Sequence, residues 1–199
     1  MNLRGEQLAC ERGGRVVFRN VGFTIAPGEM LALTGPNGSG KSSLLRLISG
    51  LNQPLSGRLS LDGGNADLTV GQHAHYIAHA EAIKTALTVR ENLNFWAAFL
   101  GGGDVDKALG AFDLTRLEGY PAGLLSSGQK RRLALARLVA VKRVLWLLDE
   151  PTVGLDAASQ QRLSGVMRAH LQEGGMIIAA THTELGLKAR HTLDLGMTA

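Results

Sequence analysis

The chain has 199 residues, 45% of them hydrophobic and 19% charged, enough apolar material to bury the core of one globular domain divided at most into subdomains. Its 21 basic residues outnumber 17 acidic ones for a formal charge of +4, which is compatible with nucleotide phosphate, an anionic membrane face or nucleic acid and selects none of them. The single cysteine, Cys10, excludes an intramolecular disulfide framework and fits a reducing cytoplasm, and no apolar run approaches the ~20 residues that span a bilayer.

The N-terminal stretch MNLRGEQLACERGG has no apolar segment of secretory type, so any membrane-spanning part must come from another chain. Up to about Gly64, the runs at 15–25, 30–34 and 57–61 read as strands joined by Gly, Pro and Asn turns. After Gly40 the period changes. Leu44, Leu47, Ile48 and Leu51 recur at helical spacing, with Gly50 and Asn52 marking the end.

From about 80 to 143 the pattern is mainly helical, in three pieces beginning near Thr88, Val105 and Gln129, and a helical subdomain is expected over roughly 80–140. Phe95, Trp96 and Phe99 read as core or subdomain contacts. The runs VLWLL and GMIIAAT then have the wholly apolar character of buried parallel strands. Strands alternating with helices predict an α/β fold around a largely parallel sheet.

The stretch Gly35, Pro36, Asn37, Gly38, Ser39, Gly40, Lys41, Ser42 fits G-x-x-x-x-G-K-[ST] between a strand and a helix. Its glycines let successive N–H groups converge on phosphate oxygens at the positive end of the helix. Lys41 is expected to reach the β- and γ-phosphates, and Ser42 to ligate Mg²⁺; Ser43 completes the nucleotide-binding set. The run VLWLL ends in Asp149 and Glu150, which puts two carboxylates at the sheet edge where α/β proteins bind ligands. Asp149 is expected to hold Mg²⁺ through water and Glu150 to polarise the water that attacks the γ-phosphate.

Ser126, Ser127, Gly128 and Gln129 open a further helix, either as an ordinary N-cap or as a second set of free N–H groups for an anion. Together with the two preceding motifs, SSGQ resembles the signature of the ABC ATPases, and the resemblance covers essentially the whole chain. TVGLD resembles that family's D-loop, with Asp156 at its aspartate, and His182 in AATHT resembles the switch histidine that contacts the γ-phosphate and positions the base. The resemblance implies a P-loop NTPase fold with a RecA-like core, an antiparallel β subdomain and a helical subdomain, all within residues 1–199. It also implies a homodimer, the Lys41 loop of one chain and the SSGQ helix of the other closing on one ATP. The basic run Lys130 to Arg132 then reads as a solvated helix face and not a nucleic-acid patch.

Two positions depart from the family pattern. His79 stands where the Q-loop glutamine is expected, and Arg12 where an aromatic residue stacks on adenine, a task a guanidinium can also perform. With LACERGGR, HAEAIKTALTVRENLNFW and LWLLDEPTVGLDAASQQRL, these departures resemble one branch, the ATP-binding subunit of cytochrome c maturation complexes. Membership would imply a peripheral ATPase on the cytoplasmic face of the inner membrane, beneath integral membrane subunits. Its work would be haem export or release of a haem-loaded periplasmic chaperone. His73, His75 and His79 read as part of an exposed loop and not as a haem or metal site. The alternatives are the ATPase of another ABC transporter, an ATP-binding switch without turnover, and a soluble ABC protein on nucleic acid; the last usually carries paired cassettes or basic extensions, so no nucleic-acid partner is expected.

Overall fold

The computed structural model describes residues 1–197. β1 (Asn2–Arg12) and β2 (Arg15–Ile25) pair antiparallel across Gly13 and Gly14. β1 escapes a simple alternating pattern because its register shifts between Gly5 and Leu8, where Gln7 takes a φ of 49°. β3 (Met30–Thr34) runs into the glycine loop and α1 (Lys41–Ile48). β4 (Ser56–Asp62) returns to the free side of β1, completing a three-stranded sheet in the order β2-β1-β4. Leu51 lies beyond α1 and is exposed, so the apolar helical period stops three residues earlier than the sequence reading extends it.

β5 (Ala74–Ile77) follows, then α2 (Val89–Phe99), α3 (Val105–Ala111), α4 (Ser127–Ala140) and β6 (Leu145–Asp149). α5 (Ala157–Gln172), β7 (Met176–Ala180) and β8 (His191–Asp194) complete the described elements. The second sheet has the order β5-β6-β7-β3-β8 with every pairing parallel. Both of its faces are covered, which is why its central strands are apolar at consecutive positions. In β6, Leu145 and Leu147 join the core shared with α1 and the antiparallel sheet, while Trp146 and Leu148 join the core shared with α2 to α5. The mixed α/β architecture matches the expected fold class, with parallel core, antiparallel β unit and helical segment.

Three readings need correction. Phe95 and Phe99 are 40% and 71% exposed, stacked on each other along the outer face of α2; only Trp96 between them is half-buried, beneath the Arg137 guanidinium at 4.7 Å. Their helical spacing follows the face of α2 opposite the one that buries Val89, Leu93 and Ala97. His75 is not on an exposed loop; it is 3% exposed within β5, with Nε2 2.7 Å from the Val141 carbonyl oxygen. The run Lys130 to Arg132 is not a solvated face either, because Arg131 is 3% exposed and its two neighbours are half-buried.

Candidate functional site

The loop between β3 and α1 takes a path that L side chains resist. Gly35, Gly38 and Gly40 have φ values of 126°, 85° and 102°. At Gly40 a Cβ would stand 2.7 Å from Val17 Cγ1 and 2.9 Å from Phe18 Cδ1, so the antiparallel sheet presses on the loop and glycine is required twice over. Lys41 is 8% exposed and folds back over its own loop, donating to the carbonyl oxygens of Gly35 at 2.7 Å and Pro36 at 3.0 Å. Ser39 is in the same turn, its hydroxyl buried and without a hydrogen-bond partner. Ser42 is exposed on the first turn of α1 and Ser43 is buried beneath it.

Helix capping separates α1 from its neighbours. Thr88, Asp104, Ser126 and Asp156 each cap the following helix by accepting a backbone N–H on their side-chain oxygen. α1 begins at Gly40 with no side-chain cap and no acidic residue in its first turn. Among the described α-helices it is the one without a side-chain cap, so none of its leading N–H groups is taken by a capping side chain and a phosphate oxygen can satisfy them.

β6 delivers the carboxylates. Asp149 ends the strand at 7% exposure, and Glu150 turns out of it with φ 45°, a left-handed conformation that costs a non-glycine residue about 1 kcal/mol or more. Three contacts hold that turn: the Glu150 N–H donates to the Ala180 carbonyl at 2.8 Å, and the Glu150 carbonyl accepts from Arg131 Nη2 at 2.7 Å and from the Val153 N–H at 3.3 Å. His182, just beyond β7, places Nε2 3.2 Å from Asn37 Oδ1 and 3.7 Å from Glu150 Oε1. A single imidazole thus bridges the glycine loop and the second carboxylate. Thr152 and Thr183 join the segments after β6 and β7 through their hydroxyls at 2.8 Å.

Arg131 was not singled out by the sequence reading as a site residue, yet it crosses the centre of this region. From α4 it donates through Nη1 to the Ala78 carbonyl at 2.9 Å and through Nη2 to the carbonyls of Asp149 and Glu150. Burial lowers its pKa from the ordinary arginine value. Its signal was present: Arg131, Leu135 and Leu138 are spaced i, i+4, i+7, which puts a charge on the buried stripe of the helix.

The remaining expected residues are dispersed. Ser126 caps α4, accepting the Gln129 N–H at 3.3 Å while Gln129 Oε1 accepts the Ser126 N–H at 2.8 Å. The N-cap possibility is therefore realised, and the N–H groups of Ser127 and Gly128 remain without an intrahelical acceptor. A Cβ on Gly128 would approach the Gly154 carbonyl oxygen at 3.1 Å, so the SSGQ turn and the TVGLD segment lie side by side. Asp156 caps α5 through the Ser159 N–H at 2.8 Å, and bonding to Ser159 holds its carboxyl below the usual range. His79 is exposed two residues past β5 and Arg12 is exposed at the end of β1; neither side chain makes a hydrogen bond among the described residues. Nor do Ser126 to Gln129 hydrogen-bond to residues 35–43 among the described residues.

Known proteins resemble this chain in sequence and in fold. A protein of Bradyrhizobium diazoefficiens named cytochrome c biogenesis ATP-binding export protein CcmA is 52% identical over 192 residues, 96% of each chain. The protein of that name from Nitrobacter hamburgensis is 50% identical over 204 residues and the whole of both chains. The solved ATP-binding subunit of an ABC transporter superposes with a TM-score of 0.87 at 26% identity, covering 98% of this chain and 87% of that one. An ATP-binding cassette solved as a dimer in a post-hydrolysis state with ADP and Pi, 22% identical, shares the fold at a TM-score of 0.83 over 98% and 95% of the chains. The family profile described as ABC transporter matches residues 18–153. The chain belongs to the ABC transporter family, among its ATP-binding proteins.

Proposed function

We propose that residues 1–199 form one nucleotide-binding unit, the ATP-hydrolysing subunit of a membrane ABC complex for c-type cytochrome biogenesis. The observation that carries the hydrolytic part is the bridge from Asn37 through His182 to Glu150, which ties the glycine loop to a carboxylate held in a strained turn. The uncapped first turn of α1 receives phosphate oxygens of ATP, and Lys41, already anchored over the loop, is the ammonium nearest them by sequence and fold. Glu150 accepts the proton of the attacking water, and His182 orients that carboxylate relative to the loop.

Ser42 contributes a hydroxyl and Asp149 a carboxylate, an all-oxygen donor set of the kind Mg²⁺ takes together with phosphate and water. When bound, the ion neutralises charge developing on the phosphoryl oxygens. In this reading Arg12 lies against the adenine, and the loop carrying His79 reports nucleotide state to a membrane partner. Ser126 to Gln129 and Asp156 serve the ATP held by a second copy.

The 52% identity to a cytochrome c biogenesis export protein across nearly all of both chains supports the client: haem, or the release of a haem-loaded periplasmic chaperone. Among the described residues no helix is long and apolar enough to cross a membrane, so the proposed seat is peripheral, on the cytoplasmic face under integral subunits. The test is to trap a tagged Glu150→Gln variant with ATP and Mg²⁺, solubilise gently and identify what co-purifies. Multi-spanning haem-handling subunits are expected; recovery of an unrelated permease would discard the haem client and keep the motor.

A further inference from the structure

At the opposite end of the parallel sheet from the glycine loop lies a cavity of about 410 Å³, within the range that holds small ligands. It is framed by the C-terminal halves of α4 and α5 and by the starts of β6 and β7. Its lining includes a stacked pair, the Trp146 indole and the His170 imidazole, with centroids 3.8 Å apart and planes 5° from parallel. Gly175 lets the pair close: a Cβ there would sit 2.2 Å from the imidazole. Leu138, Val139, Val144 and Val166 supply apolar walls.

The charges at this cavity are Lys107, Lys142 and Arg143 against Glu173. Lys142 pairs with Glu173 at 3.2 Å, and Arg143 donates to the Leu100 carbonyl at 2.9 Å. The Lys107 ammonium makes no ion pair or hydrogen bond among the described residues, but after the Lys142 bond its charge helps hold the Glu173 carboxyl below the usual range, so Glu173 offsets part of both lysines. Burial pushes the His170 pKa down to about 4, so the imidazole is neutral near pH 7 and the positive excess belongs to the lysines and Arg143. A second hollow of about 400 Å³ shares Lys107, Val139, Lys142 and Arg143 and continues along Gly101 to Asp104. Asp104 adds one acid to that side, its carboxylate already engaged by the Lys107 backbone N–H at 2.9 Å.

We infer that this cavity binds an amphipathic anion, an acyl or aryl carboxylate whose apolar body lies against the Trp146–His170 pair and whose charged end meets Lys107 and Lys142. Apolar walls and a partly uncompensated cationic mouth form the complement of such a molecule, whereas ATP's multiple charges suit the glycine loop. The site is separate from the nucleotide site and stands whether or not the chain serves cytochrome biogenesis. α4 runs about 21 Å from the SSGQ turn to the cavity, and β6 starts beside the cavity and ends at Asp149, so two elements span both sites.

The chain holds two tryptophans, so Trp96→Phe leaves Trp146 as the sole indole reporter. Decanoate titrated into that protein should change its fluorescence saturably, with decanol at least tenfold weaker. Lys107→Glu and Lys142→Glu, both at exposed positions, should each weaken decanoate about tenfold, and Ala169→Phe, on the exposed edge of the cavity, should abolish binding. Equal affinity for decanol, no saturable change, or binding indifferent to all three substitutions would overturn the proposal.

Discussion

His75 shows how much a single side chain costs to bury here. Burial drives its pKa down to about 4, with Arg137 and Arg143 pushing the same way, while the bond to the Val141 carbonyl resists. The folded state therefore prefers the neutral ring, and the unfolded chain, titrating near 6.5, binds the extra proton between those two values. Stability from this source is fully present above about pH 6.5 and is lost as pH falls toward 4. His170, lowered to about 4 as well, acts in the same window. The thermal midpoint should thus drop by several degrees between pH 7 and 5, and His75→Asn should flatten that slope while lowering the midpoint at pH 7; an unchanged slope would remove His75 from the account. Lys41→Ala belongs to the same scale. It removes the ammonium from the loop and exposes the Gly35 and Pro36 carbonyls, so ATP hydrolysis should fall at least a hundredfold in a phosphate-release assay.

α4 is the element that connects the site's parts. Its Arg131 and Arg137 reach carbonyls at Ala78 and Tyr76, fastening the helix to the end of β5, and Arg131 also braces the turn at Glu150. Arg131→Met leaves three carbonyls without that donor and should destabilise the fold by about 2–3 kcal/mol. Because Arg131 braces the Glu150 turn through backbone carbonyls and makes no hydrogen bond to residues 35–43 among the described residues, kcat should fall about tenfold with KM for ATP little changed, and Arg131→Lys should recover part of it. A matching rise in KM would mark a general loss of structure instead. Elements with strong periods were legible in sequence: β2, β3, β6 and β7 fall within a residue or two of their apolar runs, as do α2 and the start of α3. β1 was hidden by its bulged register, and β5 and β8 by being four residues long with histidine at a pleat position. α5 buries only Ser159, Leu163 and Met167, too few for a visible stripe. The contiguous loop and carboxylate motifs were readable because their chemistry is local. Arg131 showed as a charge on the buried stripe of α4 but its carbonyl partners did not, and the pairing of His182 with Glu150 came from the family resemblance alone, because tertiary packing assembles these contacts from segments up to 145 residues apart.

At the scale of the molecule, the starts of α1 and α4 both keep N–H groups available to an anion, in different surroundings. The α1 start opens beside Asn37, His182 and Glu150, whereas the α4 start, with the Ser127 and Gly128 N–H groups, lies beside Gly154 and forms no hydrogen bond with the glycine loop among the described residues. On the proposed reading one chain carries two half-sites, and a two-fold pairing of identical chains completes both at once, since each supplies what the other lacks. ATP is then part of the interface and stabilises the pair by mass action for as long as it is intact. Glu150→Gln slows its loss, so with ATP and Mg²⁺ this variant should scatter light as a dimer and revert to a protomer when nucleotide is removed. Adding Ser127→Arg places a large cation at the exposed α4 start without touching residues 35–43, and should abolish the dimer while leaving ATP binding within about threefold. A Glu150→Gln protein that stays monomeric at saturating ATP would rule out the shared site, and retention of the dimer by the double variant would move the interface away from the SSGQ turn.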